Sequence, residues 1–190
     1  VLIGRERGGS EMAEVQAGDI VLLPAFGASI PAIEELKKKE AVLVDTTCGS
    51  VVNVWKNVER YAREQITSIV HGKIYHEETI ATVSRVSTYP GAHYLVVRDV
   101  EEAELACRYL VEGGNKEEFY KHFSQAISAG FDPDIHLGHV GCANQTTMLS
   151  SESLRIGEMF REAIGKRYGE AELPTRFRAF DTICSATQER

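Results

Sequence analysis

The sequence predicts an α/β fold: a mainly parallel sheet flanked by helices. Two observations carry that expectation. Short apolar runs alternate with stretches of helical spacing along all 190 residues. One phrase also occurs twice, each time where an apolar run stops: Asp45-Thr46-Thr47-Cys48 and Asp181-Thr182-Ile183-Cys184. A thiol leaving the carboxyl end of a strand lies on the rim where open parallel sheets form their ligand crevices.

The elements follow in order. Ile20 to Gly27 is an apolar run closed by glycine, a strand. Pro31 to Lys39 starts with proline in a first helical turn and ends in lysines, a helix signature. Ala41–Val44 reads as a buried strand. Ser50 to Glu64 is helical, because Val51, Val54, Trp55, Val58 and Tyr61 recur at spacings of three and four. Ile66–Val70 is a strand running into His71-Gly72, and a helix begins near Glu77 or Glu78. Tyr94–Val97 is a strand. Val100 to Val111 is a helix with Ala103, Ala106, Cys107 and Leu110 facing inward, broken by Gly113-Gly114. Lys116 to Ala129 reads as one helix stopped by Gly130. Leu137–Ala143 is a strand that opens into Asn144-Gln145-Thr146-Thr147. Ser151 to Tyr168 is a long helix with Leu154, Ile156, Met159, Phe160 and Ile164 as its apolar side. Phe177–Phe180 is the strand that delivers Cys184.

Bulk properties narrow the function. The net charge of -7 disfavours nucleic-acid binding, which needs a basic footprint. No stretch has the length of an apolar membrane span and no signal peptide opens the chain. Four cysteines are too few for a disulfide scaffold in a chain of this length. Metal binding or catalysis is the better use for them in a reducing compartment.

With the strands as assigned, one rim gathers Phe26, Cys48, His71, His76, Glu78, Gln145, Thr146 and Cys184. Two thiols presented alike suit a soft metal or an iron–sulfur cluster. No CxxC spacing supports Cys48 and Cys184, and two buried small hydrophobes are the plain alternative. Cys107 and Cys142 lack the Asp-Thr-x-Cys context and read as core. His76 at a helix start suits an anion, and Glu78 suits proton supply if burial raises its pKa. A surface histidine beside a helix-start glutamate is the plain reading of that pair. Gln145 and Thr146 could hydrogen-bond a hydroxyl or a phosphate, or simply cap a turn.

Six strings carry a resemblance: Leu23-Pro24-Ala25-Phe26-Gly27-Ala28; Val44-Asp45-Thr46-Thr47-Cys48; His71-Gly72-Lys73 with His76-Glu77-Glu78-Thr79; Gly130-Phe131-Asp132-Pro133; Ala143-Asn144-Gln145-Thr146-Thr147-Met148; and Thr182-Ile183-Cys184 with Ala186 to Arg190. Through them the chain resembles the LytB/IspH family of 4-hydroxy-3-methylbut-2-enyl diphosphate reductases, and most of all its plant and cyanobacterial branch. The resemblance implies a trefoil of three similar α/β units around a [4Fe-4S] cluster held by one cysteine from each. Residues 1–47 would end the first unit, 48–175 form the middle unit and 176–190 start the third. Cys48 and Cys184 would then be metal ligands, the third cysteine lying in an N-terminal segment that this sequence lacks. His76 would bind the diphosphate, Gln145 and Thr146 would contact substrate, and Glu78 with Thr146 would serve catalysis. The resemblance further implies a small-molecule diphosphate substrate, reduced ferredoxin or flavodoxin as electron donor, and a bacterial cytoplasmic or plastid stromal location. Gly49 departs from the proline that usually follows the middle cysteine, which frees a φ angle beside a ligand. Phe26 stands where the bacterial branch has a substrate-binding histidine. Two other readings compete: a cluster-free α/β binding module, and a hydrolase using Cys48 and His76.

Overall fold

The computed structural model describes residues 10–179. In chain order the elements are α1 (Ser10–Glu14), β1 (Ile20–Leu23), α2 (Ile30–Lys38), β2 (Val42–Asp45), α3 (Gly49–Arg63), β3 (Thr67–His71), α4 (Glu77–Val86), β4 (Tyr94–Val97), α5 (Val100–Glu112), α6 (Lys116–Phe123), α7 (Pro133–His136), β5 (Val140–Asn144), α8 (Ser150–Tyr168), α9 (Leu173–Arg176) and β6 (Phe177–Arg178). A 3₁₀ turn at Glu170–Glu172 joins the last two helices.

Strands β1 and β2 pair in parallel as a two-stranded sheet. The others form a four-stranded parallel sheet in the order β4-β3-β5-β6. Parallel strands, with a helix after each of β1 to β5, are what the alternating pattern foretold. The central strands β3 and β5 are buried along their whole length. That is why they read as continuous apolar runs rather than alternating ones.

The core is split by this sheet. Ile69, Leu95 and Cys142 face α5 and α8, where Phe119, Phe123, Phe131, Ile156 and Phe160 complete the larger cluster. Val70, Val96 and Ala143 face the other way, onto Val54, Val58 and Ala62 of α3. The chain leaves β3 through α4 and leaves β5 through α8, on opposite faces of the sheet. The carboxyl ends of β3 and β5 thus flank the point where the winding reverses, the place where open parallel sheets form their ligand crevices. Register places the last residues of both strands, His71 and Asn144, side by side.

Several expectations need correction. The helix from Lys116 stops at Phe123, because the chain turns there to bridge Ile127 to Leu95 of the sheet edge. Strand β5 starts at Val140, since Asp132 caps the short helix α7, which occupies the approach to it. Strand β1 ends at Leu23, where Pro24 begins a turn closed by Gly27 N–H on the Pro24 carbonyl at 2.8 Å. Strand β2 forms as expected but is not buried: Val42 is 53% and Val44 40% exposed. Its sheet is covered on one face by Val15, Leu36 and their neighbours. On α8 Leu154 is 56% exposed and Ser153 is buried, so the inward stripe differs from the one its apolar residues suggest. No helix among the described residues is long and apolar enough to cross a membrane.

Candidate functional site

The site is built from the connections that leave β3, β5 and β2. After β3 the chain turns through Gly72 and Lys73 and enters α4 at His76. His76 is the N-cap: its Nδ1 accepts the Glu78 backbone N–H at 3.2 Å. With Nδ1 accepting, the ring proton belongs on Nε2, which leaves that nitrogen a donor. Phe26, from the turn after β1, meets the His76 ring edge-on at 6.2 Å.

Glu78 is the unusual group here. It is 2% exposed and reaches Thr146 on the β5 side. One carboxylate oxygen accepts the Thr146 N–H at 2.5 Å and the other accepts the Thr146 hydroxyl at 2.9 Å. Burial pushes this carboxyl above its ordinary range, while the two Thr146 bonds and the nearby His76 pull it down; the rise prevails. A buried carboxyl raised in that way keeps its proton to a higher pH than an exposed glutamate does.

Gln145 locks the two connections together. Its side-chain oxygen accepts from Lys73 N–H at 3.0 Å and from the Thr79 hydroxyl at 3.1 Å. Its Nε2 donates to Thr147 at 2.5 Å, and its backbone N–H donates to the His71 carbonyl at 2.8 Å. The packing is tight enough that a Cβ on Gly72 would lie 2.7 Å from the Thr79 hydroxyl and 3.1 Å from the Gln145 side chain. Only glycine fits between these partners.

The Cys48 turn is made differently. Asp45 accepts the Thr47 N–H at 2.9 Å and the Thr47 hydroxyl at 2.5 Å through one oxygen. These bonds hold the Asp45 carboxyl below its usual range. Thr46 donates its hydroxyl to the Leu23 carbonyl at 2.5 Å and Cys48 donates its N–H to the Ala25 carbonyl at 2.8 Å. Cys48 itself is exposed, is the N-cap of α3, and spends no side-chain hydrogen bond on the cap. Asp45 and Thr47 thus fix the cysteine turn between them. Gly49 opens α3, and a Cβ there would meet nothing within 4 Å.

Cys107 and Cys142 sit in the core, as expected. Burial pushes the Cys107 thiol up to about 12 and raises that of Cys142 still further. Cys184 lies outside the described residues. Among those described, no three His, Cys, Asp or Glu side chains come together as a metal site. A cavity of about 570 Å³ opens between the loop after β3 and the end of β4, and it reaches His76 and Lys73 but not Glu78, Thr146 or Cys48.

Of the rim residues foreseen, the structure brings together His71, His76, Glu78, Gln145 and Thr146, with Phe26 against His76. Sequence reasoning missed Ser153, Thr79 and Arg85. Ser153 Oγ is 2.8 Å from Nδ1 of the buried His71. The Arg85 guanidinium lies 3.4 Å over the Trp55 ring and 3.8 Å from Glu59, joining α4 to α3. A serine in an apolar stripe was the one available signal for Ser153.

Comparison with known proteins supplies the family. The family model described as LytB protein matches residues 5–190. A 4-hydroxy-3-methylbut-2-enyl diphosphate reductase of Synechococcus sp. (strain RCC307) is 49% identical over 97% of this chain and 44% of its own length. The chloroplastic reductase of Botryococcus braunii is 49% identical over 98% of this chain and 36% of its own. A solved E-1-hydroxy-2-methyl-but-2-enyl-4-diphosphate reductase of Plasmodium falciparum shares the fold, with a TM-score of 0.62 at 21% identity over 93% of this chain and 43% of that one. The chain thus spans under half the length of the relatives it matches. With a family match that runs over nearly every residue, the chain belongs to the LytB family.

Proposed function

We propose that this chain forms part of a 4-hydroxy-3-methylbut-2-enyl diphosphate reductase, and that its crevice is the proton-delivering side of that enzyme's active site. The reaction removes the substrate hydroxyl as water, consuming two electrons and two protons, and yields isopentenyl and dimethylallyl diphosphates. The observation that carries the reading is Glu78, a buried carboxyl gripped by both donors of Thr146 in a chain of this family.

The parts divide as follows. His76 presents its Nε2–H, and with it the amino end of α4, to the diphosphate. Glu78 holds the proton that the departing hydroxyl takes up, and Thr146 orients both the carboxyl and that hydroxyl. Gln145 keeps the two crevice walls in register through Lys73 and Thr79. The donor set suits a soft metal centre at one place: Cys48 is an exposed thiol, unspent in capping, on a turn held by its own neighbours. Buried Cys107 and Cys142 do not suit one. Cys48 would therefore be the ligand from this unit and Cys184 the ligand from the next. A [4Fe-4S] cluster held there would supply the electrons, with a reduced ferredoxin or flavodoxin as their source. We read residues 48–175 as the middle of three units, with 1–47 and 176–190 belonging to its neighbours. The relatives are bacterial and chloroplastic, which supports a cytoplasmic or stromal setting.

The test is turnover by the full-length protein after anaerobic cluster reconstitution. Conversion of the diphosphate substrate with a chemical reductant, lost when iron is removed, is the expected result. Iron-independent hydrolysis dependent on Cys48 and His76 would replace this reading with the hydrolase one.

A further inference from the structure

We propose that His71 and Ser153 form a positioning pair that holds the Gln145–Thr146 turn at the height from which Thr146 meets the Glu78 carboxylate. The inference rests on the reductase reading only in naming Glu78 as the acid.

His71 ends β3 and is fully buried. A buried imidazole is unfavourable unless its nitrogens are bonded. Here Nδ1 lies 2.8 Å from Ser153 Oγ. Nε2 lacks a hydrogen-bond partner among the described residues, and the nearest charge is the Glu152 carboxylate at 3.6 Å. A carboxylate can only accept, so the ring proton belongs on Nε2, facing Glu152, and Nδ1 accepts the Ser153 hydroxyl. Burial lowers the His71 pKa, opposed by Glu152, by the Arg98 backbone and by Asp99, so the ring is neutral around pH 7 and this tautomer persists.

The same residue also grips the other end of the turn. Its carbonyl accepts the Gln145 N–H at 2.8 Å. His71 is therefore bonded to the first residue after β5 and, through its ring, to the first turn of α8. Thr146 lies between those two anchors. Thr146 reaches Glu78 through its N–H at 2.5 Å and its hydroxyl at 2.9 Å, and hydrogen bonds weaken steeply when the donor moves or tilts. Loosening α8 at Ser153 would let the turn drift and weaken them. They favour the charged carboxylate, so their loss moves the Glu78 titration upward.

The experiment titrates the Glu78 carboxyl in the full-length protein by isotope-edited infrared spectroscopy, with Glu78→Gln identifying the signal. Ser153→Ala and His71→Asn are each expected to raise the midpoint. The double variant should raise it no further than the larger single change, because both cut one link. Ser153→Thr, which keeps the hydroxyl, should restore the wild-type midpoint. An unmoved midpoint in Ser153→Ala with an unchanged circular dichroism spectrum overturns the proposal, as does an additive double variant. Ser153→Ala removes a single hydroxyl from a helix and decides the matter even if His71→Asn fails to fold. The readout needs neither iron nor substrate, so a failed turnover assay would remove the reductase reading and leave this result standing.

Discussion

The Cys48 turn after β2 and the Glu78 turn between β3 and β5 achieve order by opposite means. The Cys48 turn is local: Asp45 and Thr47 bond each other across two residues, and the thiol they present is exposed. The Glu78 turn is long-range: its carboxyl is buried and its two partners come from Thr146, 68 positions away in the chain. The contrast suits the work proposed for each. A ligand to a soft centre must be reachable, whereas a proton donor needs a dry site that shifts its pKa. A local turn tolerates change around it, while a cross-sheet lock does not.

That contrast can be broken at its glycines and its acid. Gly72→Ala should be the most damaging change, costing about 1–3 kcal/mol in chemical denaturation, because the new methyl meets Thr79 and Gln145 at distances that force the lock apart. A cost near zero would mean that the two connections are not locked.

The second effect is a dependence on pH. The Glu78 pKa is raised above the ordinary glutamate value of 4.5 by burial. The folded state then holds the proton more tightly than the unfolded one. The corresponding stabilisation is complete below about pH 4.5 and is lost as pH rises through the raised folded value. Glu78→Gln should flatten that part of the stability profile measured by urea midpoints from pH 4 to pH 8. An unchanged slope would place Glu78 in a wetter site than its burial indicates.

The smallest effect has the opposite sign. Gly49 stands at the first position of α3, where proline is well tolerated, with open space around it and an extended Cys48 before it. Gly49→Pro should stabilise the chain by about 0.5 kcal/mol through the unfolded state. Destabilisation would show that the Cys48 turn uses the freedom glycine gives it.

The same contrast explains what was legible in the sequence. The Asp45–Cys48 turn was readable because its bonds join neighbours. Helix α3 was readable because Val51, Val54, Trp55, Val58 and Tyr61 carry an apolar period that tertiary packing then uses. Helix α6 was overextended because nothing between Ser124 and Ala129 signals that Ile127 bridges to the sheet edge. Ser153 showed only as a serine in an apolar stripe, because its partner His71 is 82 positions away and no periodicity reports a hydrogen bond. The exposure of Val42 and Val44 also escaped the sequence, since an apolar run does not state which of its faces is covered. The roles of His76, Glu78 and Thr146 came from family resemblance; their spacing alone left a capped helix and a polar turn as adequate readings.

The most direct test of the division between the two turns compares Cys48→Ser with Glu78→Gln in the full-length protein. Iron, acid-labile sulfide and the electron paramagnetic resonance of the reduced protein are measured beside turnover. Cys48→Ser should lose the iron and with it the signal. Glu78→Gln should keep both while turnover falls by about 10²–10⁴-fold, the usual worth of a positioned proton donor. Retained iron in Cys48→Ser, or undiminished turnover in Glu78→Gln, would contradict the account.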